Sequence, residues 1–445
     1  MQNIRISLWG LLVLLSALWL AADPTALQSA TFFAVRNAMM QYSGILAIGA
    51  MSVAMILAVR PRLPEKWMGG LDRMYRLHKW LGITALATTV AHWLWENGPK
   101  WAVGWGLLDR PQRGPRPVPD NAVEKLFSVL HKPAESVGEW AFYAAVALML
   151  LALLKRFPYR QFFKTHRLMA VTYLALAFHA VVLTKFAYWT SPLGVAMAAL
   201  VGFGTWAAVV VLMRRVAADR QVEGTVADIR YYPGVRALET LIDIPRGWPG
   251  HKAGQFAFAT CDASEGAHPY TIASAWSDAD RHLTFIVKEL GDHTRRLRDK
   301  LQVGQTVKIE GPYGCFTFDD DRPRQIWVGA GIGITPFIAR LKHLAASPGH
   351  PPPAIDLFHT TADYDGDAIA RLRADADAAG IRLHVLVDAR DGRLDGTRIR
   401  ALVPEWREAS LWFCGPAPFG QALREDFTAH GLPGRRFHQE LFAMR

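Results

Sequence analysis

The sequence predicts a multidomain protein in which an all-α transmembrane helix bundle is followed by an antiparallel β-barrel and then by an α/β nucleotide-binding domain. Three observations predict this order. Long apolar runs fill residues 1–215, as in membrane-spanning helices. Short runs of alternating apolar and polar residues fill 220–318, as in antiparallel strands. A strand, a glycine-rich turn and a helix can be recognised near the start of 323–445, a pattern typical of nucleotide-binding domains.

The helix bundle is predicted from six apolar runs, several of which approach the roughly 20 residues needed to cross a bilayer. These runs cover residues 6–22, 33–59, 75–95, 139–155, 168–187 and 191–213. The first run follows Arg5 and could instead be a signal peptide. Either alternative leaves the C-terminal half on the same side of the membrane.

Positive charge predicts which side that is. Lysine and arginine are dense in residues 60–79, 155–167 and 214–220, as in cytoplasmic segments. Residues 96–138, which include the proline-rich stretch 110–119, are expected to form a long irregular loop outside. The sequence therefore predicts a multi-pass protein of the inner (cell) membrane with a cytoplasmic C-terminal half.

Charge and cysteine content argue against several classes of protein. The net charge of +11 arises beside the apolar runs and not in a separate basic tract, which argues against binding of nucleic acid. The three cysteines, Cys261, Cys315 and Cys414, lie far apart and have no CxxC-type spacing. An iron–sulfur cluster, a structural zinc site and a disulfide framework are therefore not expected.

The third and fifth apolar runs each carry two histidines, His78 and His92 in the third and His166 and His179 in the fifth. Imidazole in a hydrocarbon environment is costly unless it has a partner. Since both runs cross in the same direction, the first histidine of each pair lies near the cytoplasmic edge and the second lies deeper. A spacing of 13–14 residues corresponds to roughly 20 Å along a helix. The pattern suits two haems stacked across the membrane.

The angular positions of the paired histidines around their helices agree less simply with two haem levels. Fourteen residues place His92 about 40° from His78, on one face of an ideal helix. Thirteen residues place His179 about 140° from His166. The second pair is therefore expected to need a distorted helix, or a position of His166 just below the regular helix. Isolated histidines are more often satisfied polar groups in a bundle, but two levels on parallel runs favour ligation.

The stretch GGLDRMYRLHKWLG, together with histidine spacings of 14 and 13, resembles the ferric reductase and NADPH oxidase superfamily. The membrane domain of that superfamily holds two b-type haems through histidines on its third and fifth helices. The resemblance implies that His78 and His166 bind an inner haem and that His92 and His179 bind an outer haem.

Arg36 lies near the outer end of the second apolar run. A charge at this position is usually an anchor that snorkels to the membrane surface. The resemblance implies a second role, in which Arg36 lies near the outer haem and pairs with a propionate or assists an acceptor.

HPYTIAS is similar to the flavin-binding strand of ferredoxin–NADP reductase-like proteins. The similarity implies FAD as cofactor, with His268, Pro269, Tyr270 and Thr271 at the flavin and Thr271 near its reactive ring edge. On these residues alone, a plain barrel strand is the alternative.

In FIVKELGDHTRRL, Gly291 is expected to allow a tight turn and Thr294 to start a helix. Backbone N–H groups there can receive the flavin pyrophosphate, and Lys288 can add positive charge. EGPYG follows where the family has a glycine–proline turn.

RQIWVGAGIGITPFIARLKHL is expected to form a strand, a glycine turn and a helix. Gly329, Gly331 and Gly333 would let the backbone approach a phosphate closely. Thr335 is expected to cap the helix and Pro336 to be its first residue, so that the helix N-terminus faces the phosphate.

Two C-terminal stretches complete the expected site. LWFCGP supplies Cys414, Gly415 and Pro416, and Cys414 resembles the family cysteine beside the nicotinamide. A small buried thiol is the alternative for this cysteine. Phe442 resembles the C-terminal aromatic residue that covers the flavin ring, although three residues follow it here.

The preferred nucleotide stays open between NADH and NADPH. In NADPH-using relatives an arginine often precedes the aspartate that corresponds to Asp363, and here that position is Ala362. Arg390 could compensate, although exposed arginines usually just face solvent.

The resemblance implies an enzyme of the NAD(P)H oxidase or ferric-chelate reductase type. Electrons would pass from cytosolic NAD(P)H through FAD and the two haems to an external acceptor, because flavin accepts a hydride and releases electrons singly. An electron moving outward gains about 2.3 kcal/mol per 100 mV of membrane potential. The acceptor stays open between oxygen, giving superoxide, and a ferric chelate. An alternative is a conduit that feeds a periplasmic acceptor protein, and a haem-binding sensor or transporter is a non-enzymatic one.

Overall fold

The computed structural model describes residues 2–26, 28, 31–110, 119–154, 159–262, 265–347 and 353–440. The chain divides into two compact units. The N-terminal unit comprises Met1–Met68 and Arg73–Ala217, and the C-terminal unit comprises Gly69–Asp72 and Ala218–Arg445.

The N-terminal unit is helical. Its helices are α1 (Gln2–Ala22), α2 (Phe32–Ala58), α3 (Arg62–Met68), α4 (Leu71–Gly104), α5 (Ala122–Leu153), α6 (Tyr159–Leu183) and α7 (Pro192–Leu212). In the described part of the chain five of them, α1, α2, α5, α6 and α7, are long and apolar enough to cross a membrane. The apolar centre of α4 is shorter, because Arg73, Arg76 and Lys79 lie near its start and Glu96 and Lys100 near its end. Five of the six expected spans are therefore confirmed.

The expected long loop at 96–138 is wrong, because both flanking helices extend into it. The side chain of Asn121 accepts a hydrogen bond of 2.9 Å from the N–H of Glu124. In return, the carboxylate of Glu124 accepts one of 2.9 Å from the N–H of Asp120. This reciprocal capping starts α5 well before its apolar run, where hydropathy gives no signal. Most of the proline-rich stretch, residues 111–118, lies outside the described residues.

The helix α2 forms the centre of this unit. All residues from Ile45 to Ser52 are buried, and α2 packs against α1, α6 and α7. The hydroxyl groups of Ser52 and Tyr173 lie 2.8 Å apart. The fully buried Tyr173 hydroxyl also donates to the carbonyl oxygen of Val201, at 3.4 Å. Polar groups inside the bundle therefore satisfy one another across α2, α6 and α7.

The C-terminal unit begins with a six-stranded sheet. Its strands are β1 (Gln221–Tyr232), β2 (Ala237–Asp243), β3 (Phe256–Thr260), β4 (His268–Thr271), β5 (His282–Lys288) and β6 (Thr306–Tyr313), with α8 (Asp292–Lys300) between β5 and β6. The order is β4-β3-β6-β1-β2-β5, and the paired strands are antiparallel. An isolated bridge between Ile272 and Phe285 joins the chain just after β4 to β5 at the other edge.

A five-stranded parallel sheet follows. Its strands are β7 (Arg324–Ala330), β8 (Ala354–Thr361), β9 (Arg382–Val387), β10 (Ser410–Cys414) and β11 (Phe437–Gln439). The helices are α9 (Thr335–Ala345), α10 (Gly366–Ala378), α11 (Asp388–Asp391), α12 (Gly396–Leu402) and α13 (Ala417–Ala429). The order β11-β10-β7-β8-β9 reverses between β7 and β10. Ligands of such sheets bind at the carboxyl ends of the strands beside this reversal.

The opposite end of the parallel sheet is held by a buried carboxylate. Asp356 of β8 is 1% exposed and lies 2.8 Å from the guanidinium of Arg324 on β7. It also lies 3.2 Å from Arg382 and 3.2 Å from His384 on β9. Burial raises the pKa of Asp356, but the hydrogen bond to His384 and the two guanidinium groups together hold it below its usual value. One charge therefore joins three neighbouring strands.

Replacing Asp356→Asn should lower the free energy of unfolding by about 3 kcal/mol, because it leaves partly buried cations without their counter-charge. Urea unfolding of the full-length protein in detergent, followed by intrinsic fluorescence, measures this change. Asp321→Asn is the matched control, since Asp321 is 96% exposed. Equal stability of the two variants would show that Asp356 does not join the strands.

Candidate functional site

The structure brings the four histidines of α4 and α6 together as two pairs. The ring centres of His78 and His166 lie 5.9 Å apart with an interplanar angle of 71°. Those of His92 and His179 lie 6.2 Å apart with an angle of 88°. With each nitrogen about 1.1 Å from its ring centre and a metal–nitrogen bond of about 2.0 Å, imidazoles on opposite sides of one metal have ring centres roughly 6.2 Å apart. Both pairs therefore fit an iron held between two imidazoles.

Backbone carbonyl groups of neighbouring helices orient three of these rings. The Nδ1 of His78 lies 2.9 Å from the carbonyl oxygen of Ala54 on α2. The Nδ1 of His92 lies 2.9 Å from that of Met40, also on α2, and the Nδ1 of His179 lies 2.8 Å from that of Ala134 on α5. A carbonyl oxygen can only accept, so Nδ1 carries the proton in each case. The lone pair of Nε2 is then left for a metal, as metal-binding histidines require.

A glycine gives the imidazole of His179 access to a helix carbonyl. Gly138 lies four residues after Ala134, where a side chain would cover the accepting oxygen. A Cβ on Gly138 would lie 1.9 Å from the Nδ1 of His179. Sequence reasoning missed Gly138, which lies just before the fourth apolar run.

His166 differs from the other three histidines. Its Nδ1 is buried and has no hydrogen-bond partner among the residues that the structure describes. The ring instead stacks on Phe162, with centres 5.0 Å apart and an angle of 16°. Both histidines of this run lie inside α6, so the expectation of a position just below the helix is wrong for His166.

The charge of Arg36 is neutralised within the N-terminal unit. Its guanidinium donates to the backbone oxygen of Trp95 at 3.1 Å and pairs with the carboxylate of Glu96. The side chain of Arg36 is 19% exposed, and Glu96 also pairs with Lys100 at 2.5 Å. The structure therefore ties Arg36 to the turn of α4 that follows His92. This arrangement is compatible with an anchor and with the haem-side role that the resemblance implies.

Gly138→Ala should displace the ring of His179, because the added carbon overlaps its Nδ1. Haem affinity of the outer pair should fall about 10- to 100-fold, as when other partners of metal-binding histidines are lost. Gly202→Ala is the matched control, since nothing lies within 4 Å of its Cβ position on α7. Haem titration of the two purified variants measures the difference. Equal affinity would show that access to the Ala134 carbonyl does not matter.

The expected flavin strand is formed by β4. The ring of His268 stacks on that of His293, with centres 3.7 Å apart and an angle of 11°. The Tyr270 hydroxyl lies 3.0 Å from the Nε2 of His293, and Thr271 is buried. Burial and the neighbouring His293 lower the pKa of His268 to about 4, and burial also lowers the pKa of His293. The structure thus presents neutral aromatic rings at this strand, including His293, which sequence reasoning missed.

The segment after β5 differs from the expectation in two details. Gly291 has an extended backbone (φ −147°) that any residue adopts, so the chain does not need glycine to turn there. Thr294 lies in the first turn of α8, and its hydroxyl oxygen accepts from the N–H groups of Leu290 and Gly291, at 2.9 and 3.0 Å. Lys288 pairs with Asp363 at 2.7 Å. Its expected contact with a flavin pyrophosphate stays a prediction.

The expected glycine turn lies beside the reversal of the parallel sheet. β7 ends at Ala330, a 3-10 turn spans Gly331–Ile334, and α9 begins at Thr335. Thr335 is thus the first helical residue and not its cap, because its hydroxyl donates 2.7 Å to the carbonyl of Ile332. Pro336 follows in the first turn, where the absence of an N–H costs nothing.

The glycine turn packs directly against the end of β10. A Cβ on Gly333 would lie 2.2 Å from the carbonyl oxygen of Cys414, so only glycine fits at this position. Gly415 and Pro416 continue the chain from β10 into α13. The residues expected to bind phosphate and nicotinamide therefore meet at the carboxyl edge of β7 and β10, where ligands of this fold bind.

Two buried acids with raised pKa values lie at the ends of β10 and β11. Cys414 is fully buried, and burial together with the nearby Glu440 raises the pKa of its thiol well above the usual value. Glu440 follows β11 and is 8% exposed. Burial raises the pKa of Glu440 well above its usual range, and its Oε2 has no hydrogen-bond partner within the described residues. Sequence reasoning missed Glu440. Phe442 lies outside the described residues, so its place over the flavin stays a prediction.

Glu440→Gln should stabilise the protein increasingly as pH rises. A carboxyl whose folded pKa is raised loses stability from its unfolded value of about 4.3 upward, by up to about 1.4 kcal/mol for each pH unit. Glutamine is neutral throughout and removes this loss. Melting temperatures at pH 5 and pH 8 measure the effect, with the exposed Glu408→Gln as control. The same pH dependence in the wild type and Glu440→Gln would mean that Glu440 is already ionised in the folded protein.

Comparison with known proteins supports the two-part architecture. Residues 43–177 match the family model of the ferric reductase like transmembrane component. Residues 225–317 match the model of an FAD-binding domain. A membrane domain of the first kind followed by a flavin domain of the second matches the architecture of the ferric reductase/NADPH oxidase superfamily.

Two curated relatives and one solved structure each match part of the chain. An NADPH oxidoreductase of Mycobacterium tuberculosis (strain ATCC 25618 / H37Rv) is 33% identical over 187 residues, which are 40% of this chain and 47% of that protein. The stachydrine N-demethylase reductase subunit Stc4 of Rhizobium meliloti (strain 1021) is 30% identical over 209 residues, 43% of this chain and 58% of that protein. The chain thus spans about half the length of these curated relatives. The crystal structure of Amycolatopsis cytochrome P450 reductase GcoB is 25% identical, with a TM-score of 0.44 over 50% of this chain and 70% of that chain.

Proposed function

From the architecture of the ferric reductase/NADPH oxidase superfamily, we propose that this chain is a transmembrane oxidoreductase. It takes electrons from cytosolic NAD(P)H and passes them through FAD and two b-type haems to an acceptor outside the membrane. The observation that carries the proposal is the pair of imidazole pairs, with ring centres 5.9 and 6.2 Å apart, on two helices of an apolar bundle.

Each histidine has a defined task in this proposal. His78 and His166 hold the inner haem, and His92 and His179 hold the outer haem. The carbonyl groups behind His78, His92 and His179 fix the ring orientation and the tautomer, so that Nε2 would be left to bind the haem iron. The apolar helices around the two histidine pairs exclude water and ions from the path of the electrons. When bound, a haem supplies one-electron chemistry and a flavin converts the two electrons of a hydride into single electrons.

The C-terminal unit supplies the nucleotide and flavin sites. The turn at Gly331–Gly333 lets the backbone approach the nucleotide phosphate, with the first turn of α9 directed at it. Burial raises the pKa of Cys414 and of Glu440, which disfavours negative charge at the ends of β10 and β11, where we propose that the nicotinamide binds. His268, Tyr270 and Thr271 form the strand against which the flavin lies.

The distribution of lysine and arginine indicates the direction of electron transfer. Their density in residues 60–79, 155–167 and 214–220 supports a cytoplasmic position of these segments and of the C-terminal unit. Electrons then move from the negative to the positive side of the membrane, which the membrane potential favours. In the leading form of the proposal the acceptor is oxygen, giving superoxide, or a ferric chelate.

A second candidate is an electron conduit that feeds a periplasmic protein. It is favoured by the start of α5, where Val123, Leu126 and Val129 are 54, 54 and 68% exposed on one side of the helix. An apolar stripe of this kind is suited to a protein partner or to the membrane surface. Superoxide production by the purified chain without any added protein would count against the conduit.

The proposal is tested by anaerobic absorbance spectra of detergent-purified protein, supplied with haem and FAD, before and after addition of NAD(P)H. We expect two b-type haems per chain, both reduced by the nucleotide. Reduction by dithionite but not by NAD(P)H would contradict the proposed electron path, and absence of haem would contradict the histidine assignment.

Single histidine variants make the test residue-specific. His92→Ala and His179→Ala should each lower the haem content from two to one per chain, because each removes one of the two imidazoles that would hold the outer haem. His131→Ala is the matched control, since His131 lies on α5 with a 57% exposed side chain. An unchanged haem content in His92→Ala would show that this histidine is not a ligand.

A further inference from the structure

The carboxyl edge of β8 and β9 carries an aspartate that bears on which nucleotide is used; this inference rests on the function proposed above. β8 and β9 pair in register through Thr361 and Val387 at their ends. Asp388 follows directly as the first residue of α11. In dinucleotide-binding folds, an acidic residue that lies beyond the glycine turn in sequence binds the ribose 2′-hydroxyl of NADH, whereas an arginine nearby accommodates the 2′-phosphate of NADPH.

Asp388 presents a carboxylate to this edge. Its Oδ1 accepts a hydrogen bond of 3.1 Å from the hydroxyl of Thr360 on β8, which fixes the side chain between the two strands. Among the described residues no lysine, arginine or histidine nitrogen lies within 4.0 Å of it. Its second oxygen is thus a suitable acceptor for a hydroxyl group, and its charge is not neutralised by an ion pair in that part of the chain.

Arg390 does not offset this charge. Its Nε and Nη2 donate to the carboxylate of Asp391, at 3.0 and 2.9 Å. The same carboxylate accepts from the backbone N–H of Val387 at 2.9 Å, so Asp391 is itself held in place. A 2′-phosphate would have to break this two-bonded pair to recruit the guanidinium, and would leave the carboxylate without its partner.

The cations near the end of β8 are also engaged. Lys288 and Arg236 lie 2.7 and 3.6 Å from the carboxylate of Asp363, two residues beyond β8. The Lys288 hydrogen bond lowers the pKa of Asp363, so the carboxylate is ionised and holds both cations. A 2′-phosphate would compete with Asp363 for them.

We infer that this chain prefers NADH to NADPH and that Asp388 is the specificity-determining residue. The 2′-hydroxyl of NADH can donate to the free oxygen of Asp388. The 2′-phosphate of NADPH carries about −1.5 to −2 charges and would meet an uncompensated carboxylate at the same place. Repulsion of like charges disfavours NADPH, and the hydrogen bond favours NADH.

The test is anaerobic reduction of the bound flavin in the full-length protein, with NADH and NADPH compared by kcat/KM. The wild type should prefer NADH by about tenfold or more, the factor that 1.4 kcal/mol of discrimination gives. Asp388→Asn keeps an acceptor for Thr360 but removes the charge, and should narrow the preference by about tenfold, mainly through faster reduction by NADPH. Asp391→Asn, which releases Arg390, should also favour NADPH. Asp377→Asn on α10 is the charge-matched control and should leave the ratio unchanged.

Binding of ADP-ribose and 2′-phospho-ADP-ribose, measured by calorimetry, provides a readout that does not need electron transfer. The wild type should bind ADP-ribose more tightly, and Asp388→Asn should bring the two affinities together. Tighter binding of the phosphorylated fragment, or an unchanged ratio in Asp388→Asn, would overturn the inference. Failure of both nucleotides to reduce the flavin would overturn the proposed function, whereas the fragment affinities would still decide the role of Asp388.

Discussion

The hydrogen bonds from imidazole Nδ1 atoms to backbone carbonyl groups are the interaction on which the N-terminal unit depends. An imidazole in an apolar bundle needs a partner, and here α2 provides two of them, at Ala54 and Met40. These carbonyl groups lie 14 residues apart on α2, the same spacing as that of His78 and His92 on α4. One helix therefore orients one ring at each level, His78 at the first and His92 at the second. Since Nδ1 of these rings donates to a carbonyl, Nε2 is left to bind a metal.

Much of this arrangement could be predicted from the sequence, because it depends on local patterns. Histidines in apolar runs and glycines between a strand and a helix can be recognised in the sequence. In the N-terminal unit the histidines form two pairs, and in the C-terminal unit the glycine turn packs against the end of β10. The partners of these residues are set by tertiary packing and carry no local signal. Gly138 has its role only because Ala134 accepts from His179, and Glu440 only because β11 ends beside β10. The start of α5 was missed for a different reason: capping by Asn121 acts where hydropathy is low.

In the C-terminal unit, the stabilising ion pairs and the expected ligand site lie at opposite ends of the parallel strands. At the start of the parallel strands, the buried carboxylate of Asp356 joins β7, β8 and β9 through ion pairs. At the carboxyl ends, Gly333 packs against the carbonyl of Cys414, and burial raises the pKa of Cys414 and of Glu440. Asp388 follows β9 at the same ends, where we propose that it selects the nucleotide.

If each imidazole pair holds one iron, the electron paramagnetic resonance spectrum of the oxidised, haem-loaded protein should report it. We expect two low-spin ferric signals per chain, as for iron bound by two imidazoles. Because the ring planes meet at 71° and 88°, both signals should be strongly anisotropic. A high-spin signal as the main species, or a single low-spin signal with one haem per chain, would contradict the account.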